Sequence, residues 1–201
     1  MKIGILGAGM VGQSLARAVL AHGHTVMLSS RTPDSADMQK IIAELGTNAQ
    51  AGTVSQTVAY GEVVALALPP AVMAEAIKQG EWSGKIVMDM TNRFGGDTSP
   101  SAVALAKLIP EAHVVKALNT IGAEHYVDAN FGGEHASMFI AGDNPNATQT
   151  ITNLVTQLGF EVINIGSLAD SGHLDALTKL WVHLAIRGEF GRGFAFRLIR
   201  K

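Results

Sequence analysis

At 201 residues, with 16% charged residues and a formal net charge of −2, the chain can bury one sizeable core and carries no global field that would draw nucleic acid or an anionic membrane. The absence of cysteine removes disulfides, thiolate nucleophiles and sulfur-ligated metal centres together. The opening Met1-Lys2-Ile3-Gly4-Ile5-Leu6 is too short an apolar run for a signal-peptide core or a membrane span, so the expectation is a cytoplasmic protein forming a single domain over residues 1–201.

Short β-branched runs alternate with helical patterns along the whole chain. The expected class is therefore α/β: a Rossmann-type doubly wound, mostly parallel sheet with helices on both faces and a small carboxyl-terminal extension. Strands are expected at Lys2–Leu6, Thr25–Ser29, a short one near Ala49–Gly52, Val63–Leu68, Lys85–Asp89, His113–Leu118, Met138–Ala141 and Glu161–Ile165. Val11, Leu15, Ala18 and Val19 give the first helix its apolar stripe, and Gly23 stops it. Further helices are expected at Met38–Leu45, Ala71–Lys78, Ser101–Leu108, Ala147–Leu158 and Leu168–Ile186, the last within a helical tail over about 167–201 and capped by Ser171. The glycine-containing stretches Arg93–Ser99 and Asn130–Glu134 read as loops at strand ends. In an open α/β sheet ligands sit beyond the carboxyl ends of the strands, which makes such loops candidate site walls.

Gly7-Ala8-Gly9-Met10-Val11-Gly12 follows the first strand directly and opens a helix, the context in which this glycine spacing binds a dinucleotide. Gly7 permits the tight turn, Gly9 lets a pyrophosphate approach the backbone, and Gly12 lets the helix pack on the strand. Free N–H groups and the positive end of the helix dipole then face the phosphates. About twenty residues on, where a carboxylate would hold the ribose of NAD, stands Ser29-Ser30-Arg31. Hydroxyls and a guanidinium suit a 2′-phosphate, so the expected cofactor is NADP (NADPH). The alternative is that Arg31 is a solvated loop cation and Asp34 serves the ribose.

Leu68 and Pro69 close the next strand where the nicotinamide half would lie. Asn92, in Asp89-Met90-Thr91-Asn92, and Asn119, in Lys116-Ala117-Leu118-Asn119, end two more, and their amides either border the reacting rings or only close turns. The seven histidines show no ligand spacing, so no metal is expected. Asp170-Ser171-Gly172-His173-Leu174-Asp175 holds triad residue types, but no GxSxG elbow exists. Phe190, Phe194 and Phe196 lie in an arginine-rich tail and imply burial against a subunit partner, a lid or the core; contact in a homodimer is the favoured reading.

On these residues the chain resembles the F-420-dependent NADP oxidoreductase family nearly end to end: Ile3–Gly12, Ser29-Ser30-Arg31, Asp89–Asn92, Val114–His125 and Gly166-Ser167-Leu168 carry the likeness. It also looks like the cytosolic domain of the STEAP ferric reductases. The resemblance implies that the glycine turn and the Ser-Arg pair hold NADP, that Pro69, Asn92 and Asn119 border the rings, and that hydride passes between the nicotinamide and a deazaflavin (F-420) or flavin as small-molecule electron acceptor. Such transfer needs stacked planes more than titrating groups, and no catalytic residue is assigned. Two other functions stay open: an NADPH-binding sensor or partner protein without turnover, and a small carbonyl or imine reductase using Lys116, His125 or Tyr126 as proton donor.

Overall fold

The computed structural model describes residues 1–92 and 100–201. The loop expected at Arg93–Ser99 lies outside the described residues. Strands β1 (Lys2–Leu6), β2 (Thr25–Ser29) and β3 (Ala49–Gly52) lie side by side in parallel, and β4 (Val63–Leu66) pairs with the other edge of β1. Beyond it come β5 (Ile86–Asp89) and β6 (His113–Lys116), also parallel. The stretch expected as a plain loop at Asn130–Glu134 holds a small hairpin of β7 (Asn130–Phe131) and β8 (Glu134–His135), closed by Gly132 and Gly133, both at positive φ. Then β9 (Ser137–Gly142) joins β6 antiparallel, and β10 (Glu161–Asn164) pairs in parallel with β9.

The sheet order β10-β9-β6-β5-β4-β1-β2-β3 reverses between β1 and β4, so the ligand crevice of such a fold falls at the carboxyl ends of these two strands. Side chains alternate across the sheet. Ile3 and Ile5 join an apolar cluster with Leu15 and Val19 of α1 (Met10–Ala21), Met38 of α2 (Ala36–Leu45) and, on the same face, Ile151 and Leu154 of a later helix. Leu6, Val64 and Leu66 face the opposite cluster, with Val58 of α3 (Val54–Tyr60), Ile77 of α4 (Pro70–Ile77) and Leu105 of α5 (Ser101–Leu108). The first of these faces is closed by α6 (Pro145–Gln157), and α7 (Ser171–Arg187) packs beside α5. No helix among the described residues is long and apolar enough to cross a membrane.

Several boundaries differ from expectation for local reasons. Helix α3 has too few residues to show a 3.6-residue period, yet its start is written in a capping box: Gln56 N–H donates to Thr53 Oγ1 at 3.3 Å and Thr53 N–H to Gln56 Oε1 at 2.8 Å. Strand β4 stops at Leu66 rather than Leu68, because Pro69 has no N–H and caps α4. Strand β6 stops at Lys116 because Leu118 takes a left-handed backbone, φ 55°. Ser171 is not a cap: Asp170 reaches back to Ser167, whose hydroxyl donates to it at 2.7 Å, and the resulting turn over Leu168–Asp170 feeds into α7. Residues 188–201 are not helical.

Because β9 and β10 run opposite to β6, their carboxyl ends lie at the end of the sheet remote from the glycine turn. A hollow of about 480 Å³ opens there, lined by Gly142, Asp143, Thr148, Gln149, Thr152 and Asn164 among others. The two halves of the sheet are also tied through His24. The Met1 ammonium donates to its Nδ1 at 3.2 Å, which leaves Nε2–H to donate to Gln157 Oε1 on α6 at 2.9 Å.

Candidate functional site

Gly7 has φ 115°, and a Cβ there would come within 2.7 Å of the Ala67 carbonyl. A Cβ at Gly12 would collide with the carbonyl of Gly7, so turn and helix fit only because both are glycines. Gly9 is different: among the described residues nothing lies within 4 Å of where its Cβ would stand, which leaves the backbone open to an incoming group. Helix α1 has no side-chain cap and no acidic residue in its first turn, so its N–H groups are left for an anion. Ala8 and Val11 turn their side chains toward the core and Met10 is 66% exposed, so what this segment offers a ligand is mainly backbone. These features fit a dinucleotide pyrophosphate.

Ser29 is buried, and its Oγ accepts the Gly7 N–H at 3.0 Å. Its oxygen therefore fixes the glycine turn instead of standing in solvent for a phosphate. Ser30 is half-buried and its Oγ accepts the Thr32 N–H at 3.1 Å. Arg31 is exposed at the end of β2, with no ion pair among the described residues. Asp34 is exposed beyond it, while Leu68 packs beside Gly7 and Pro69 is exposed at the mouth of the crevice.

Asn92 and Asn119 come together across the ends of β5 and β6. Asn119 Nδ2 donates toward Asn92 Oδ1 at 3.3 Å, the Leu174 carbonyl at 3.3 Å and Thr178 Oγ1 at 2.9 Å. Its Oδ1 is buried, with no hydrogen-bond partner among the described residues. Behind this pair, the Lys116 ammonium is wholly buried. It donates to Asp89 Oδ2 at 3.1 Å, to Ser101 Oγ at 2.7 Å and to the Thr91 carbonyl, and Asp175 Oδ1 lies 3.4 Å away. Asp175 in turn accepts from Ser101 N–H at 2.8 Å and Ser101 Oγ at 3.0 Å, while Asp89 Oδ1 closes an Asx turn by accepting Thr91 N–H at 2.9 Å. Strand ends, the start of α5 and the first turns of α7 are thus held by one cation.

Sequence reasoning singled out Lys116, noted Asp175 only within a stretch of triad residue types, and missed Ser101 and Thr178. A lysine and an aspartate at the ends of adjacent apolar strands do signal a buried pair; nothing local marks the helix residues that complete it.

Tyr126 is fully buried; desolvation pushes its phenol well above the usual range, and its hydroxyl donates to the Leu118 carbonyl at 2.7 Å. His125 Nε2 meets the Arg192 carbonyl at 2.9 Å. The guanidinium of Arg192 grips Glu124 with two bonds, 2.6 and 2.8 Å, and holds that carboxyl below its ordinary range. Part of the phenylalanine-rich tail, for which subunit contact was the favoured reading beside a lid or the core, packs on its own chain. Phe194 stacks on Trp181 with ring centres 5.3 Å apart, Ser137 N–H donates to the Phe196 carbonyl at 2.9 Å, and only Phe190 of the three phenylalanines stays largely exposed.

The reversed sheet order, the open glycine turn and the uncapped helix end define a Rossmann-type dinucleotide-binding protein. Residues 2–93, a little under half of the chain, match the family described as NADP oxidoreductase, coenzyme F420-dependent. It is similar to the metalloreductase STEAP3 of Rattus norvegicus, 28% identical over 181 residues, which is 88% of this chain and 36% of that protein. The chain therefore spans about a third of the length of the curated relatives it matches. Among solved structures, a proposed F420-dependent NADP-reductase from Arthrobacter sp. FB24 superposes with a TM-score of 0.85 at 28% identity, covering 100% of both chains. The reductive aminase of Aspergillus terreus shares the fold, with a TM-score of 0.70 at 22% identity over 94% of this chain and 63% of its own.

Proposed function

We propose that the chain passes hydride between NADPH and a planar deazaflavin (F420) or flavin ring. The observation that carries this reading is the engagement of every proton donor named for the competing chemistry. Lys116 spends its ammonium on an internal network, Tyr126 donates to a backbone carbonyl, and His125 is bonded to the tail. Carbonyl or imine reduction needs a positioned acid, whereas transfer between two rings needs chiefly their alignment. When bound, the dinucleotide supplies the hydride; the acceptor ring takes it with a proton from solvent, and NADP⁺ is left. The chain contributes binding and orientation: N–H groups of Gly9–Gly12 toward the pyrophosphate, Ser30 and Arg31 toward the 2′-phosphate, and Leu68, Pro69, Asn92 and Asn119 around the nicotinamide. The description of the Arthrobacter structure supports the same acceptor class.

Stopped-flow oxidation of NADPH with F420, FMN and FAD tests the proposal. Turnover with at least one ring is expected. Tight NADPH binding with no oxidation by any of them would show a sensor instead. A cytoplasmic homodimer remains part of the proposal, and light scattering of the purified chain checks the dimer.

A further inference from the structure

The amide of Asn119 is oriented by its surroundings. Leu174 offers a carbonyl, which only accepts, and Thr178 Oγ1 directs its own hydrogen to the Leu174 or Asn119 carbonyl, each at 2.9 Å. With Asn92 Oδ1 on the other side, the NH2 end has acceptors from two directions. A flipped amide would set its oxygen against the Leu174 carbonyl oxygen. Among the described residues the orphan is therefore Oδ1, in a residue 3% exposed, and a buried acceptor left unpaired is costly unless something donates to it.

Both sets of acceptors trace back to Lys116. Through Asp89 and the Thr91 carbonyl it fixes the end of β5, next to Asn92. Through Asp175 it fixes the turn of α7 that presents Leu174 and Thr178. Leu118, at φ 55°, turns the chain just before Asn119, and the Tyr126 hydroxyl holds that turn by its carbonyl.

We propose that Lys116 is a positioning residue which, through Asp89 and Asp175, holds Asn119 with its free Oδ1 ready to accept an N–H from the carboxamide of the nicotinamide ring. This rests on the reading of the crevice as an NADP site. It assigns ring recognition to a side-chain oxygen, in contrast to the backbone groups that take the pyrophosphate. It also gives the buried cation a task beyond stability, although the cation never touches the ligand.

The test compares three ligands by calorimetry on the full chain: NADP⁺, its 3-acetylpyridine analogue, in which a methyl replaces the carboxamide NH2, and 2′-phospho-ADP-ribose, which has no ring. The wild type is expected to bind NADP⁺ roughly tenfold more tightly than the analogue, the value of one good hydrogen bond. Asn119→Ala, Asp175→Asn and Lys116→Met should each bring that ratio close to one while leaving 2′-phospho-ADP-ribose affinity unchanged. Asp175→Asn retains an acceptor for Ser101, so it keeps the test alive if Lys116→Met does not fold. A wild-type ratio near one, or a ratio unchanged in Asp175→Asn, overturns the proposal, as does an equal loss of affinity for all three ligands in that variant. Failure of the wild type to bind 2′-phospho-ADP-ribose at all would overturn the NADP reading itself.

Discussion

The glycine turn at the end of β1 and the Asn119 shell at the end of β6 face the same crevice, yet they are built in opposite ways. The turn is made by residues adjacent in sequence, and its working groups are backbone N–H; the one remote partner is Ser29. The shell is made from four segments far apart in the chain, and its working groups are side chains held by a buried ammonium. Backbone recognition demands small residues and tolerates little else. Side-chain recognition demands a supporting network, so it fails through positions that lie well behind it.

The largest expected effect comes from that network. Lys116→Met leaves Asp89 buried without its cation and should cost about 3–5 kcal/mol, read as a fall in the urea midpoint. An unchanged midpoint would mean that the ion pair contributes nothing and that the Asn119 shell does not depend on it. On the turn side, Gly12→Ala drives a Cβ into the Gly7 carbonyl; we expect a loss of about 3 kcal/mol in stability together with loss of NADPH binding. Wild-type behaviour in that variant would show that backbone fit is not what the turn selects.

Arg31→Ala should leave stability alone, because the side chain is exposed, and should weaken NADPH by about 1.5–3 kcal/mol with little effect on NADH. Calorimetry with both dinucleotides reads the difference, and an intact preference for NADPH would remove the charge argument for this cofactor.

Smaller effects sharpen the comparison at the links between the halves. Desolvation lowers the His24 pKa below its ordinary value. The unfolded chain therefore takes up that proton first, and stability present above about pH 6.5 declines as the pH falls toward the lower folded value. Melting temperatures at pH 7.5 and 5.5 should differ less in His24→Gln than in the wild type. Glu124 is shifted down by Arg192, so its contribution is present above the usual carboxylate range and fades as the pH drops through the depressed value. Since that pair is partly exposed, Glu124→Gln should cost no more than about 1 kcal/mol. The sharper readout is faster proteolysis of the tail after Arg192.

Most of the sheet was legible because buried parallel strands are short β-branched runs and the helices between them carry long apolar stripes. Helix α3 escaped because seven residues cannot show a period, although Thr53 and Gln56 marked its start. The ends of β4 and β6 were overextended for a different reason. Ala67, Leu68, Ala117 and Leu118 are apolar enough to continue a strand, but a proline and a left-handed leucine stop them. At the site, local residues gave the turn, whereas the bond from Gly7 N–H to Ser29 Oγ was not foreseen. The partners of Lys116 on α5 and α7 were invisible, since only the packed fold brings them within reach of the ammonium. The tail follows the same logic: three phenylalanines announce burial but do not say against what.

The reversed direction of β9 and β10 has a practical consequence. The hollow beside α6 lies at the far end of the sheet from the crevice, its rim residue Gln149 is exposed, and the sequence contains no cysteine. A thiol introduced at position 149 would be the sole attachment point for a fluorescent dye, able to report motions of the whole molecule without crowding the end of the sheet that carries the glycine turn.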